Sequence, residues 1–345
     1  MSELKSNSNR PIAVWLLICA AVIFGMIVLG GVTRLTESGL SMVEWRPIMG
    51  VLPPMTDSQW ADVFEKYQLS PEYQKVNHGM SLHEFKLIFY PEYFHRVLGR
   101  VIGLIFFFPF VYFLWRKQVP KNIVPKLWIL FILGGLQGLL GWYMVKSGLV
   151  DVPRVSQYRL TAHLGLAVII YAYMIWVALD LFFLSKEPTT DFPKLKSTSM
   201  VIAVLIYCMI LSGGLVAGLD AGFAYNTFPL MDGYFFPPGL YNLSPAWLSM
   251  FEDITTVQFN HRIFAYCLII IIATFCFVAL AKGVDAQQKL GVVILLGALV
   301  LQVSLGIATL LLVVPVPLAA AHQAGAILIL TSALYVAYSF RRQLV

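Results

Sequence analysis

The chain has 345 residues, 59% of them hydrophobic and only 12% charged, with a mean hydropathy of +0.77. So little charge cannot clothe a soluble globule of this size, which excludes an ordinary soluble domain. The net charge of +6 is spread over short connections between apolar runs, as in a membrane protein, and leaves no basic cluster for a nucleic acid.

A bilayer-spanning helix needs about 20 mostly apolar residues, and the sequence supplies eight such stretches: 12–32, 97–115, 127–144, 160–184, 200–219, 259–280, 290–314 and 318–340. The fold class expected is an all-α integral membrane protein, eight transmembrane helices arranged as two pseudo-symmetric four-helix bundles. The first stretch is too long and too weakly cleavable for a signal peptide and is read as helix one. A long connection, 33–91, follows it and carries His78 and His83, which have no repeat partners and are read as surface residues. Glu92, His95, Arg96 and Arg100 cluster at the start of the second stretch, and Arg159 and His163 at the start of the fourth. Asp180, near the far end of the fourth, reads as interfacial. The second long connection, 220–258, contains no Lys or Arg; His261 and Arg262 open the sixth stretch, and His322 lies near the start of the eighth. Cys19, Cys208, Cys267 and Cys276 all fall inside helices, where small packing residues are expected rather than a redox pair.

Basic residues set the orientation. Lys5, Arg10, Arg116, Lys117, Lys121, Lys186, Lys194, Lys196, Lys282, Lys289, Arg341 and Arg342 fall on one side, so both termini are placed in the cytoplasm of a bacterial inner-membrane protein. Even-numbered helices then run inward, which puts all four helix histidines near the outer face, beneath two long loops suited to act as lids.

The chain repeats itself. GGVTRLTESGLS from Gly30 aligns with GGLVAGLDAGFA from Gly213, FHRVLGRVIGL around His95 with NHRIFAYCLII around His261, and LQGLLGW from Leu136 with LQVSLGI from Leu301. Each half therefore holds four helices, 1–190 and 191–345, and because four is even the halves share one membrane orientation. A single histidine in a membrane helix can be a packed residue. Four in matching places read as two ligand pairs, His95 with His163 and His261 with His322, each suited to a haem held between helices. Zinc is poorly served, because no third and fourth ligand stands at familiar spacing.

Arg96, Arg100, Arg159 and Arg262 stand beside the histidines and suit haem propionates; the alternative, that arginines here reach lipid headgroups, stays open for Arg159. One difference separates the halves chemically: Glu92 stands three residues before His95, whereas Gln258 holds that place before His261. An acid at the edge of an apolar site suits proton transfer or stabilisation of positive charge. The simpler alternative is that Glu92 pairs with Arg96 at the interface.

The segments GGVTRLTESGLSMVEWRPIMGVLPP, EFKLIFYPEYFHRVLGR, YNTFPLMDG, QFNHR and AAHQAGA, spread over most of the chain, closely resemble the heme A synthase family. The resemblance implies an oxidoreductase that converts the C8 methyl of heme O to a formyl group by successive hydroxylations. It places the substrate between His95 and His163, haem b on His261 and His322, and the essential glutamate at Glu92. Outer-loop cysteine pairs carried by some bacterial members are missing, so the sequence is similar to the proteobacterial and mitochondrial branch. Implied partners are heme O, membrane lipid, an electron acceptor whose identity stays open and the heme O synthase that supplies the substrate; a homo-oligomer also stays open. A bis-histidine di-haem electron-transfer cytochrome is the main alternative, although haems serving transmembrane transfer belong at opposite faces. A repeat-built transporter is less suited, since no broken helix or midplane charge cluster is evident.

Overall fold

The computed structural model describes residues 2–44, 52–150, 152–183 and 192–341, with side chains from Asn9 onward. Lys186, Arg342 and the boundary placed between 190 and 191 lie outside the described residues. Among those described, eight helices are long and apolar enough to span a membrane: α1 (Ser2–Leu35), α2 (Leu82–Trp115), α3 (Val124–Lys146), α4 (Gln157–Phe182), α5 (Pro193–Gly218), α6 (Ile254–Ala281), α7 (Ala286–Leu311) and α8 (Val316–Ser339). The described residues form no β-sheet, only an isolated bridge between Met231 and Tyr234. The chain is a multi-pass, all-α membrane protein.

Helix contacts divide into two rings. In the first, α1 packs on α2 and α4, and α3 on α2 and α4; in the second, α5 packs on α6 and α8, and α7 on α6 and α8. The rings meet through α1 with α8, through α4 with α5, and through α4 with α8. The first two contacts exchange under a two-fold operation, which leaves α4 and α8 flanking the pseudo-axis.

The repeated Gly-Gly pair explains how one motif serves both levels of packing. Adjacent helix residues point roughly 100° apart. The first glycine faces a histidine of its own ring: a Cβ built on Gly30 would lie 3.3 Å from His95 Cε1, and one on Gly213 would lie 3.5 Å from His261 Cε1. The second faces the other ring, where a Cβ on Gly31 would strike the Gln323 side chain of α8 and one on Gly214 would meet Thr161 of α4. The repeat extends into the backbone: Glu37 and Asp220, at matched positions after α1 and α5, both adopt the left-handed region, with φ 53° and 55°.

The ends of α2 depart from the sequence reading. This helix begins at Leu82 rather than 97, with Ser81 and Glu84 forming a reciprocal capping box. Its 34 residues extend for roughly 50 Å, well beyond a bilayer core of about 30 Å. One face of the extra turns packs on the connection that precedes the helix. They bury Phe85, Phe89 and Tyr93 against Trp60 and Tyr67, which come from a 57–68 helix in the preceding connection. That loop is thus a helical cap with its own aromatic core, where the sequence reading has only a long loop suited to act as a lid. Within the bilayer portion, Pro109 cannot donate to the Ile105 carbonyl, and Trp15 of α1 supplies the missing donor through Nε1 at 2.9 Å.

Each end of the junction between the rings carries one carboxylate holding two cations. At the cap end, Asp220 pairs with Arg34 at 2.7 Å and Arg154 at 3.0 Å. At the opposite end, Asp180 pairs with Lys126 at 2.6 Å and Arg341 at 2.8 Å, so the residue read as merely interfacial ties the end of α8 to α3 and α4.

Candidate functional site

All four helix histidines lie in the half of the bundle nearer the cap, on α2, α4, α6 and α8. Each ring packs against a glycine of the preceding odd-numbered helix. Gly30 and Gly213 have been described; a Cβ on Gly141 of α3 would lie 2.9 Å from His163 Cε1, and one on Gly306 of α7 would lie 2.8 Å from His322 Cε1. At Gly141 and Gly306 a Cβ would force the imidazole to shift, whereas at Gly30 and Gly213 it would come to close or ordinary contact; all four glycines stand at repeat-matched places. His163 lies within electrostatic reach of His95, and His322 of His261, so the pairs form within rings and not between them. Each histidine keeps part of its surface accessible although it stands inside the bundle.

Further contacts orient the rings. Ser212 Oγ lies 3.1 Å from His261 Nδ1, which leaves Nε2 to face the interior. The Gln137 amide lies 3.2 Å from His163 Nδ1 and donates to the His163 carbonyl at 3.0 Å. At the matched place in the second ring stands Gln302. His322 Nδ1 is buried beside the Gln302 main chain with no hydrogen bond of full geometry, and Gln302 Oε1 is likewise unpartnered. Two imidazoles on different helices of one ring, within electrostatic reach of each other and packed against glycines that a Cβ would crowd at Gly141 and Gly306, are ligands of the kind a haem iron held between two helices takes, so the residues fit the group. No group of three or more His, Cys, Asp or Glu able to hold a metal ion occurs among the described residues, and His78 and His83 are exposed.

The arginines divide by task. Arg96 donates from Nη2 to the Met42 carbonyl at 2.8 Å and from Nη1 to the Glu44 carbonyl at 3.3 Å. Arg262 repeats this with the Tyr225 and Thr227 carbonyls, both at 2.8 Å. In each half the arginine after the histidine therefore fastens the connection overhead, residues 42–44 or 225–227, to the helix below. Arg159 donates to the Tyr143 carbonyl at 2.8 Å and lies over the Tyr143 ring at 3.7 Å, tying α4 to α3. Arg100 lies one turn beyond Arg96, where the second half has Tyr266.

Glu92 is 3% exposed. Its Oε2 accepts from Ser41 Oγ at 2.6 Å and the Met42 amide at 2.8 Å, while Oε1 accepts from Arg96, Nε at 3.1 Å. Every one of these contacts treats the carboxylate as an acceptor, the arrangement that suits its charged form. The pairing with Arg96, the simpler alternative in the sequence, is present, and Glu92 is buried in it rather than exposed at the surface. In the second half, Gln258 donates to the Tyr225 carbonyl at 3.0 Å, with its Oε1 and the Arg262 Nε both unpartnered.

A second asymmetry concerns space. Positions matched across the repeat carry Gly103, Gly134 and Gly138 in the first ring but Ile269, Leu299 and Val303 in the second. Around each of these three glycines nothing would touch an added Cβ within 4 Å. Correspondingly, α2 and α3 are the least buried of the spanning helices.

Sequence reasoning singled out the histidines and Glu92 but not Ser41, Ser212, Gln137 or the glycines that pack against the imidazoles. The glycines were already in the aligned motifs; a glycine recurring with a histidine on the neighbouring helix was the available signal.

The model of a family described as cytochrome oxidase assembly protein, COX15-CtaA, matches residues 13–334. Among similar proteins, the heme A synthase of Nitrosospira multiformis is 55% identical over 344 residues, covering 99% of this chain and 97% of its own. That of Nitrosomonas eutropha is 53% identical, covering 97% and 95%, and that of Parvibaculum lavamentivorans 48% identical, covering 94% and 93%.

Proposed function

The chain belongs to the COX15-CtaA family of cytochrome oxidase assembly proteins, and from that membership and the two histidine pairs we infer that it is a heme A synthase, a membrane oxidoreductase acting on heme O. The reaction is oxidation of the C8 methyl to a formyl group by successive hydroxylations. The first ring receives heme O between His95 and His163, and the second holds haem b between His261 and His322.

The observation that carries the division is the contrast between the rings. Heme O bears a long apolar tail that haem b lacks, and the first ring has Gly103, Gly134 and Gly138 where the second is filled by Ile269, Leu299 and Val303. The first ring alone also has Glu92 and the extra cations Arg100 and Arg159, suited to the propionates of an arriving substrate. When bound, haem b supplies a one-electron redox centre. The chain's own residues do the rest: His95 and His163 hold the substrate macrocycle, the 57–68 cap excludes water above it, and the anionic Glu92 stabilises positive charge developing at the methyl carbon or takes the proton released there. The basic residues of the connections at the other end of the bundle support an orientation with the cap and the histidines on the outer side of a bacterial inner membrane. Both pairs stand toward the same end of the bundle, which disfavours a transmembrane electron carrier.

The test is the reduced-minus-oxidised spectrum of purified His261→Ala and His322→Ala proteins. Each should lose or strongly weaken the b-type signal, together with heme A production. An unchanged signal in both variants would reverse the assignment of the halves.

A further inference from the structure

The internal repeat supplies a control that a single site never offers, because the second ring shows what the scaffold looks like without the acid. Ser41 and Glu92 of the first half correspond to Ala224 and Gln258 of the second. Hydroxyl and carboxylate are present together in one half and replaced together in the other. The surrounding device is kept in both: Arg96 and Arg262 each bridge the carbonyls of the same two loop positions. Fastening the loop therefore does not need the serine or the acid.

Ser41 is completely buried, and its Oγ lies 2.6 Å from Glu92 Oε2, with a second, longer contact to the Ile88 carbonyl at 3.3 Å. The Met42 amide shares Oε2 and Arg96 takes Oε1. A glutamate side chain has three rotatable bonds; Arg96 on its own helix holds Oε1, while the Met42 amide and the Ser41 hydroxyl share Oε2. The hydroxyl is thus the only side chain that holds the carboxylate from the loop side among these contacts.

We propose that Ser41 is a positioning residue for the reaction, fixing together with the Met42 amide the orientation in which the Glu92 carboxylate, paired with Arg96 through Oε1, serves the substrate in the first ring. This rests on Glu92 being the working acid of that ring. Ser41 touches no substrate atom on this account; it acts through Glu92 alone.

Full-length Ser41→Ala, Ser41→Thr, Glu92→Gln and Ala224→Ser proteins are produced in a host that makes heme O. For each, haem b is read from the spectrum, and bound heme O and heme A from pigment extraction and chromatography. Ser41→Ala should keep haem b and bound heme O while heme A falls roughly tenfold to a hundredfold, the range expected for one lost hydrogen bond to a charged group. Ser41→Thr, which restores the hydroxyl, should recover most of the heme A, and Ala224→Ser should match the unaltered protein. A merely structural role for Ser41 would lower haem b or heme O retention with heme A and would not be rescued by the larger threonine. Heme A within twofold of the unaltered protein in Ser41→Ala, or equal inactivity in Ser41→Ala and Ser41→Thr, overturns the proposal. If Ser41→Ala fails to accumulate, Ser41→Cys keeps the volume with a weaker donor and should show a partial loss; full activity there overturns it equally. Near-normal heme A from Glu92→Gln would instead refute the underlying role of the acid, whereas an inactive Glu92→Gln beside an active Ser41→Ala refutes only the part given to Ser41.

Discussion

Glu72 is a carboxylic acid with almost no water around it. It lies in the short cap helix Pro71–Lys75, is 5% exposed, and leaves Oε2 without a partner. Burial pushes its pKa from 4.5 up to about 7; a hydrogen bond with Tyr67 opposes the rise, and the negative charges of Glu92 and Glu37 add to it. A raised acid pKa means that the folded cap prefers the proton, so its contribution to stability is complete below the ordinary value of 4.5 and fades as pH climbs through about 7. At pH 8 the cost reaches up to about 3 kcal/mol. Glu72→Gln, neutral at every pH, should make the cap slower to be cut by protease than the unaltered protein at pH 8, with the difference shrinking as pH falls through about 7 and gone only below 4.5. A pH-independent difference would show that ionisation is not the cause. Such a residue escapes sequence reading because its chemistry comes from Trp60, Tyr67 and Phe85 closing over that region, and nothing in its neighbours in the chain announces burial. The histidines were legible for the opposite reason: an imidazole in an apolar run is anomalous wherever it stands, and four at matched places leave few interpretations.

At the level of helices, the eight spans were legible because the bilayer fixes their length and composition. The start of α2 was not, since Phe85, Ile88, Phe89 and Tyr93 are apolar for contact with the cap, a purpose that a count of spanning residues does not register. The repeat also predicted which helices correspond, but not that α2 and α3 would be the more open pair. That follows from single residues: each of Gly103, Gly134 and Gly138 removes a side chain that its counterpart supplies. Transplanting the counterpart is the direct test. A Cβ at Gly138 would meet nothing within 4 Å, and valine in a helix interior is more favourable than the glycine it replaces. The helix should therefore stay intact while the space beneath the first histidine pair shrinks. The expected result is at least a fivefold drop in retained heme O and in heme A, with haem b unchanged. Full heme O retention by a well-folded Gly138→Val protein would show that the tail lies elsewhere.

For the molecule as a whole, the junction between the rings is held by apolar packing along its length and by one two-cation carboxylate at each end. The two ends differ in exposure: the Asp180 side chain is 13% exposed and that of Asp220 is 47% exposed. An exposed pair contributes roughly 0–1 kcal/mol, whereas removing a shielded carboxylate strands both of its cations and costs more. Asp180→Asn should accordingly lower the melting temperature of the purified protein by several degrees more than Asp220→Asn, with haem b content intact in both; equal shifts would mean that shielding of Asp180 has no energetic consequence. The pseudo-two-fold arrangement was foreshadowed by the parity of the repeat, but the residues that join the rings were not, because the junction uses the second glycine of each Gly-Gly pair, and no alignment shows what faces it. That junction has a consequence for heredity. Two separate copies of a four-helix chain could meet through the same α1–α8 and α4–α5 faces, yet being copies they would carry the same residue at every position, and any acid suited to oxidising a substrate would also stand beside the permanent cofactor. Joining both units in one polypeptide lifts that constraint, so a mutation in one is no longer inflicted on its twin, and a symmetric scaffold becomes free to specialise its two sides.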